Sequence, residues 1–263
     1  MYKVIENQEY TKGIYKLVVS APNVVTKIKP GEFVIFMCHK MSERIPLYVV
    51  DKDNKDLTIT VFYEIKGKST LELSMEKETI YSVSGPYGNP SIVIKNYQKI
   101  RKILFVVQDM GITGAISEVE FLKKHNIDVD MIYGYTLKSK IILEDELKNL
   151  IPGIKILNMQ NFYKVLKKNR TKYDVCMSFG PIEVQKNIVN IMNKRKIPTY
   201  VNMHTIILDG IGMCGSCKIV YDNEIKLSCV DGPEFDGSKI DFNKSIKRNK
   251  MYQQLEKVGH KRD

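Results

Sequence analysis

Near residue 99 the apolar residues of this chain change period, and that change limits what it can fold into. Before it, GIYKLVVSAP, GEFVIFMCHK, PLYVVDKD and DLTITVFYEI are short runs rich in Val, Ile, Tyr and Phe. Clusters of Gly, Pro, Asn and Lys separate them at roughly even spacing, which predicts a barrel or sandwich. After it, KILFVVQ is a continuous apolar run suited to a strand buried on both faces, and AISEVEFLKKHN carries helical spacing. VDMIYGY, EDELKNL and YDVCMSFG continue the alternation, and Pro181 can open a helix over PIEVQKNIVNIMNKR. Alternating strand and helix predict a parallel sheet with crossover helices. The expectation is a β-barrel over 1–98, an α/β parallel-sheet domain over 99–200, and an appended segment over 201–263.

A chain of 263 residues is long enough for two domains and an appendage. No apolar run reaches the ~18 residues of a membrane span. MYKVIENQEY lacks a basic-then-apolar signal pattern, so a cytoplasmic protein is expected. The net charge of +11 is spread as lysines among acids with no nucleic-acid motif. That charge suits an acidic protein partner or an anionic cofactor as well as it suits a nucleic acid. Only KSIKRNKMYQQLEKVGHKR is locally strongly basic, either a solvated helix face or a docking element for a partner.

Five cysteines, an odd number and clustered, point to metal or redox chemistry over structural disulfides. Counting back from Cys214, Cys217 and Cys229 gives D-x4-C-x2-C-x11-C, beginning at Asp209. With Cys in place of Asp this is the plant-type [2Fe–2S] spacing. Glycines inside the loop allow its backbone N–H groups to approach a cluster closely. A zinc site of three Cys and one Asp stays open, although structural zinc usually brings paired knuckles and only one pair is present. Cys38 and Cys176 sit in apolar runs and read as core residues.

The run MCGSCKI…IKLSCVDGPEFDGSKIDF resembles the C-terminal segment of the small subunit of NADH-dependent ferredoxin:NADP oxidoreductase, also described as the sulfide dehydrogenase β-subunit. More distantly the chain is similar to the electron-transfer subunit of dihydroorotate dehydrogenase B, within the ferredoxin reductase superfamily. The resemblance implies a [2Fe–2S] cluster on Asp209, Cys214, Cys217 and Cys229, with aspartate as the first ligand. It also implies FAD on the barrel. ERIPLYVVD resembles the segment in which Arg44 pairs with the pyrophosphate while Pro46, Leu47 and Tyr48 lie along the flavin. Tyr48 stands where relatives usually carry Ser or Thr. IKGKST resembles the second phosphate stretch, with the N–H groups of Gly67, Lys68, Ser69 and Thr70 at a helix start. Such relatives work with a larger flavin and iron–sulfur subunit, which implies a heteromer here, with ferredoxin a further candidate partner. Hydride transfer to a flavin requires no catalytic acid or base, and none is assigned.

One departure from the family stands out. Relatives follow the first parallel strand with G-G-G-x-G-x-A-P, whereas this chain reads VQDMGITG and keeps only Gly111 of that glycine set. Val107 and Gln108 crowd a pyrophosphate, and Asp109 repels it. Gly180 and Pro181 preserve the second landmark of a pyridine-nucleotide site. NAD(P)H is therefore expected either to bind through a reshaped turn or not to bind, leaving a relay between proteins.

Overall fold

A computed structural model describes residues 1–203 and 205–259, with 251–259 given as backbone only. The end of the basic stretch, 260–262, lies outside the described residues.

The first eight strands are β1 (Tyr2–Thr11), β2 (Ile14–Ser20), β3 (Phe33–Met37), β4 (Ile45–Tyr48), β5 (Asp51–Asp53), β6 (Thr58–Glu64), β7 (Thr79–Ile80) and β8 (Ser82–Tyr87). They form an antiparallel five-stranded sheet, β5-β6-β2-β1-β7, and a three-stranded sheet, β4-β3-β8. β2 and β6 pair without a break from Ile14↔Glu64 to Ser20↔Thr58. Leu17, Val19, Ile59 and Val61 thereby meet Val34 and Phe36 in one core. Their alternation sets the register, because a slip of one residue would turn the buried set outward. β4 has a neighbour on one side only, and Pro46 suits such an edge. The short helices α1 (Pro22–Val25) and α2 (Lys68–Met75) lie between these strands, and α3 (Ile92–Lys95) follows β8.

The second sheet is built on β9 (Lys102–Gln108), β10 (Asp128–Tyr135), β11 (Lys155–Asn158), β12 (Val175–Phe179) and β13 (Thr199–Asn202). α4 (Ile112–Lys124), α5 (Glu144–Leu150), α6 (Met159–Lys168) and α7 (Ile182–Lys194) link them. Ile103, Phe105 and Val107 of β9 face one core and Leu104 and Val106 the other, which is why KILFVVQ is apolar throughout. The order β11-β10-β9-β12-β13 reverses direction between β9 and β12. β11 and α6 are not among the elements the periodicity predicts. β11 is four residues long, and only Phe162 and Leu166 of α6 are buried.

Beyond β13, β14 (Lys218–Tyr221) and β15 (Glu224–Leu227) form a hairpin through Asp222 and Asn223, both at positive φ. β16 (Glu234–Asp236) then adds antiparallel to β13, with Asn202 opposite Glu234, so the sheet takes its sixth strand from the segment that follows it. α8 (Phe242–Gly259) seats Phe242 and Ile246 against Val189, Val201 and Ile219.

Candidate functional site

The hairpin folds Cys229 back onto Cys217. Their sulfurs lie 3.3 Å apart and both residues are buried. Two thiolates on one tetrahedral metal at ~2.3 Å each stand about 3.8 Å apart, so a small opening of this pair accommodates a metal. Burial first, then the neighbouring Cys217, push the Cys229 thiol up to about 12. Thiols crowded in this way ionise together only against a cation. Cys214 is exposed, its sulfur 3.0 Å from the Ser216 hydroxyl. Burial opposes its ionisation, but the Ser216 hydroxyl and N–H outweigh that and hold the thiol below its ordinary value.

The Asp209 carboxylate turns into the loop. Oδ1 accepts from the N–H of Ile211 (3.0 Å) and Gly212 (3.2 Å), and Oδ2 from that of Cys214 (2.5 Å). Burial raises its pKa, yet these donors prevail and hold the carboxyl below its ordinary value. Among the described residues no three His, Cys, Asp or Glu side chains converge closely enough to hold a metal ion. The four predicted ligands are thus gathered in one loop as two contacting pairs, Asp209 with Cys214 and Cys217 with Cys229. At Gly210, φ +76°, a Cβ would fall 2.8 Å from Ile35 Cδ1, so the loop lies directly on the barrel.

On the barrel, Arg44 is exposed and Pro46, Leu47 and Tyr48 are half-buried along β4. Ser69 donates to the carboxylate of Glu43, placing the approach to β4 beside the start of α2. Gly67 is the N-cap there, and the Thr70 hydroxyl accepts from the N–H of Lys66 and Gly67. Lys68 is exposed. Unpaired N–H groups and the helix dipole favour an anion at such an end. Tyr48 leaves the barrel. Its hydroxyl donates to Asn202 Oδ1 at 2.9 Å, and a Cβ on Gly114 would come within 3.3 Å of its ring. Burial pushes its phenol well above the ordinary range. Cys217 and Cys229 pack with Phe33 and Ile35 of β3, and Tyr48 and Tyr87 lie against the same cluster.

The turn after β9 is self-contained. Asp109, at φ +45°, accepts from the Thr136 N–H (2.8 Å), the Thr136 hydroxyl (3.0 Å) and the Gln108 amide (3.0 Å). A Cβ on Gly111 would lie 2.8 Å from the carbonyl carbon and oxygen of Phe179. The turns after β9 and β12 therefore meet backbone to backbone where the strand order reverses, the place where doubly wound sheets open a ligand crevice. Gly180 joins that contact, with its carbonyl accepting from Gln185, and Pro181 caps α7. The Lys140 ammonium is engaged by Glu64 of the barrel.

A sequence profile described as "Iron-sulfur cluster binding domain of dihydroorotate dehydrogenase B" matches residues 204–241. An uncharacterized protein of Clostridium beijerinckii is 32% identical over 96% of this chain and 90% of its own length. A Thermotoga maritima protein described as a dihydroorotate dehydrogenase B (NAD(+)) electron transfer subunit homolog is 30% identical, over 99% of this chain and 94% of its own. The chain belongs to the dihydroorotate dehydrogenase B electron-transfer subunit family. A solved structure of an NADH-dependent reduced ferredoxin-NADP oxidoreductase, studied for flavin-based electron bifurcation, superposes with a TM-score of 0.85. It is 28% identical and covers 100% of this chain and 97% of that one. The family member described here has the ferredoxin reductase-like fold: an antiparallel flavin-type sheet, a parallel nucleotide-type sheet and an iron–sulfur-type segment.

In this electron-transfer subunit several site neighbours escape a reading by motif. Glu118 is fully buried on α4, beside Ser91 and Glu234. Glu234 of β16 uses Oε2 to accept from the Ser91 hydroxyl (3.0 Å) and the Ile92 N–H (2.8 Å). Burial, and after it the adjacent Glu234, push the Glu118 carboxyl far above its ordinary value. Helical phase carried a signal: Glu118 falls three residues after Ala115 and four before Leu122, both buried. Asn202 had no such signal.

Proposed function

We propose that this chain carries FAD on its barrel and a [2Fe–2S] cluster on its C-terminal loop, and relays electrons within a heteromeric oxidoreductase. The observation that carries the reading is the shared apolar cluster in which Cys217 and Cys229 lie against β3, Tyr48 and Tyr87. A cluster held by Asp209, Cys214, Cys217 and Cys229 would thereby adjoin a flavin lying along β4. Arg44 and the N–H groups of Lys68, Ser69 and Thr70 would take the pyrophosphate, the Gly67 N–H being donated to the Thr70 hydroxyl, and Pro46, Leu47 and Tyr48 would line the ring and its chain. FAD exchanges electrons in pairs or singly, and a [2Fe–2S] centre exchanges them singly. The chain's residues set separation, ligation and charge, and keep water from the contact between the two sites. A larger flavin and iron–sulfur subunit is the expected partner.

The electron donor or acceptor on this reading is a protein and not NAD(P)H. Asp109 occupies the donors of Thr136, Gly111 abuts the Phe179 carbonyl, and Tyr48 spans the crevice to Asn202. Together these leave Gly111, Gly180 and Pro181 serving the packing of two turns. Anaerobic titration of flavin-loaded protein with NADH and NADPH tests this part. No bleaching at micromolar nucleotide is expected, and rapid bleaching would overturn it. Cofactor analysis tests the whole: flavin absorbance with iron and acid-labile sulfide near two each per chain supports the relay. A colourless chain carrying zinc would identify a scaffold without turnover.

A further inference from the structure

The basic stretch after the cysteine loop sends one of its charges inward. Arg248, on the second turn of α8 after Phe242, donates through Nε to the Ser216 carbonyl (3.3 Å) and through Nη2 to those of Gly215 (3.1 Å) and Ser216 (3.3 Å). Gly215 and Ser216 are the two residues between Cys214 and Cys217. α8 is itself fixed: Phe242 and Ser245 are buried, and the Lys186 ammonium bonds Asn243 Oδ1 at 2.7 Å. The guanidinium is thus presented to the loop by a docked helix.

In a trans peptide the C=O and the following N–H point in opposite directions. Drawing the Gly215 and Ser216 carbonyls toward Arg248 therefore aims the N–H groups of Ser216 and Cys217 to the other side. The Cys214 sulfur lies beside this segment, 3.0 Å from the Ser216 hydroxyl. Hydrogen bonds to ligand sulfurs and positive charge beside a centre both favour its reduced, more negative state. Arg248 supplies the charge and orients the donors. Lys218, whose Cε would lie 2.8 Å from a Cβ on Gly215, adds a second cation, and Asp209 opposes both.

We propose that Arg248 is a positioning residue that sets the Cys214–Cys217 segment and raises the reduction potential of the centre held there; this rests on the cluster reading given above. The test uses full-length wild-type, Arg248→Gln and Arg248→Lys proteins. Potentiometric titration followed by EPR reads the centre, and hydrogen exchange on cluster-free protein reads residues 209–218. In Arg248→Gln a lower potential is expected, together with exchange on the order of ten-fold faster across 209–218, the scale of losing a charge-assisted hydrogen bond. Residues 224–227 should exchange as in wild type. Arg248→Lys should recover part of the potential while leaving the loop fast. A folded Arg248→Gln with wild-type potential, or with wild-type loop exchange, would overturn the proposal. Should that variant fail to fold, unchanged loop exchange in Arg248→Lys overturns it instead. A wild-type chain without iron and sulfide sinks the cluster reading and the potential arm with it, while loop exchange still decides whether Arg248 positions the segment.

Discussion

Tyr48 and the cysteines respond to substitution in opposite ways. Removing the Tyr48 hydroxyl leaves buried Asn202 without its donor, at about 1–2 kcal/mol. Tyr48→Phe should therefore lower Tm by roughly 2–8 °C in a chain of this size, read by calorimetry, with flavin content unchanged. Cys217→Ser or Cys229→Ser should abolish iron and sulfide binding, measured per chain, whereas Cys38→Ala and Cys176→Ala should keep both. Cys38 and Cys176 are buried in the two cores, their thiols pushed by burial to about 11 and about 12. The core placement of Cys38 and Cys176 was legible because apolar runs are local patterns. The Tyr48–Asn202 bond was not, since it joins residues 154 positions apart. No single-sequence pattern carries that separation.

Strands and helices were legible where their periodicity was long or strong. KILFVVQ and PIEVQKNIVNIMNKR appear as β9 and α7 almost residue for residue. β1 has a diluted pattern, YKVIENQEYT, in which only Val4 and Asn7 are buried, so its bonds to β2 and β7 settle it. The departure at VQDMG was visible as missing glycines, but its resolution depends on how two elements meet. Gly111 is needed for the approach of the α4 entry to the end of β12, where no flexible side chain can yield. Gly111→Ala should cost about 1–3 kcal/mol through overpacking, seen as a shifted denaturant midpoint with the slope unchanged. An unchanged midpoint would mean that the two turns separate easily, and would reopen the crevice to a nucleotide.

The three parts of the molecule meet at Glu118 of α4, Glu234 of β16 and Ser91 beside α3. Glu118 is held far above its ordinary value, so its contribution to stability is complete below the unfolded carboxyl pKa of about 4.3 and is lost as pH rises toward the folded value. Glu118→Gln keeps the shape and removes the titration. Its Tm relative to wild type should rise steadily from pH 5 to pH 8, and a difference flat with pH would exclude a raised Glu118 carboxyl. The C-terminal segment is secured apart from any metal: β16 pairs with β13, Asn89 donates to the Val230 and Gly232 carbonyls, and α8 is docked. Metal-nucleated domains unfold on chelation, but here chelation should strip iron while far-UV circular dichroism stays the same. A centre damaged by oxygen could then be rebuilt in place, iron and sulfide re-entering a loop whose two ends never left the scaffold.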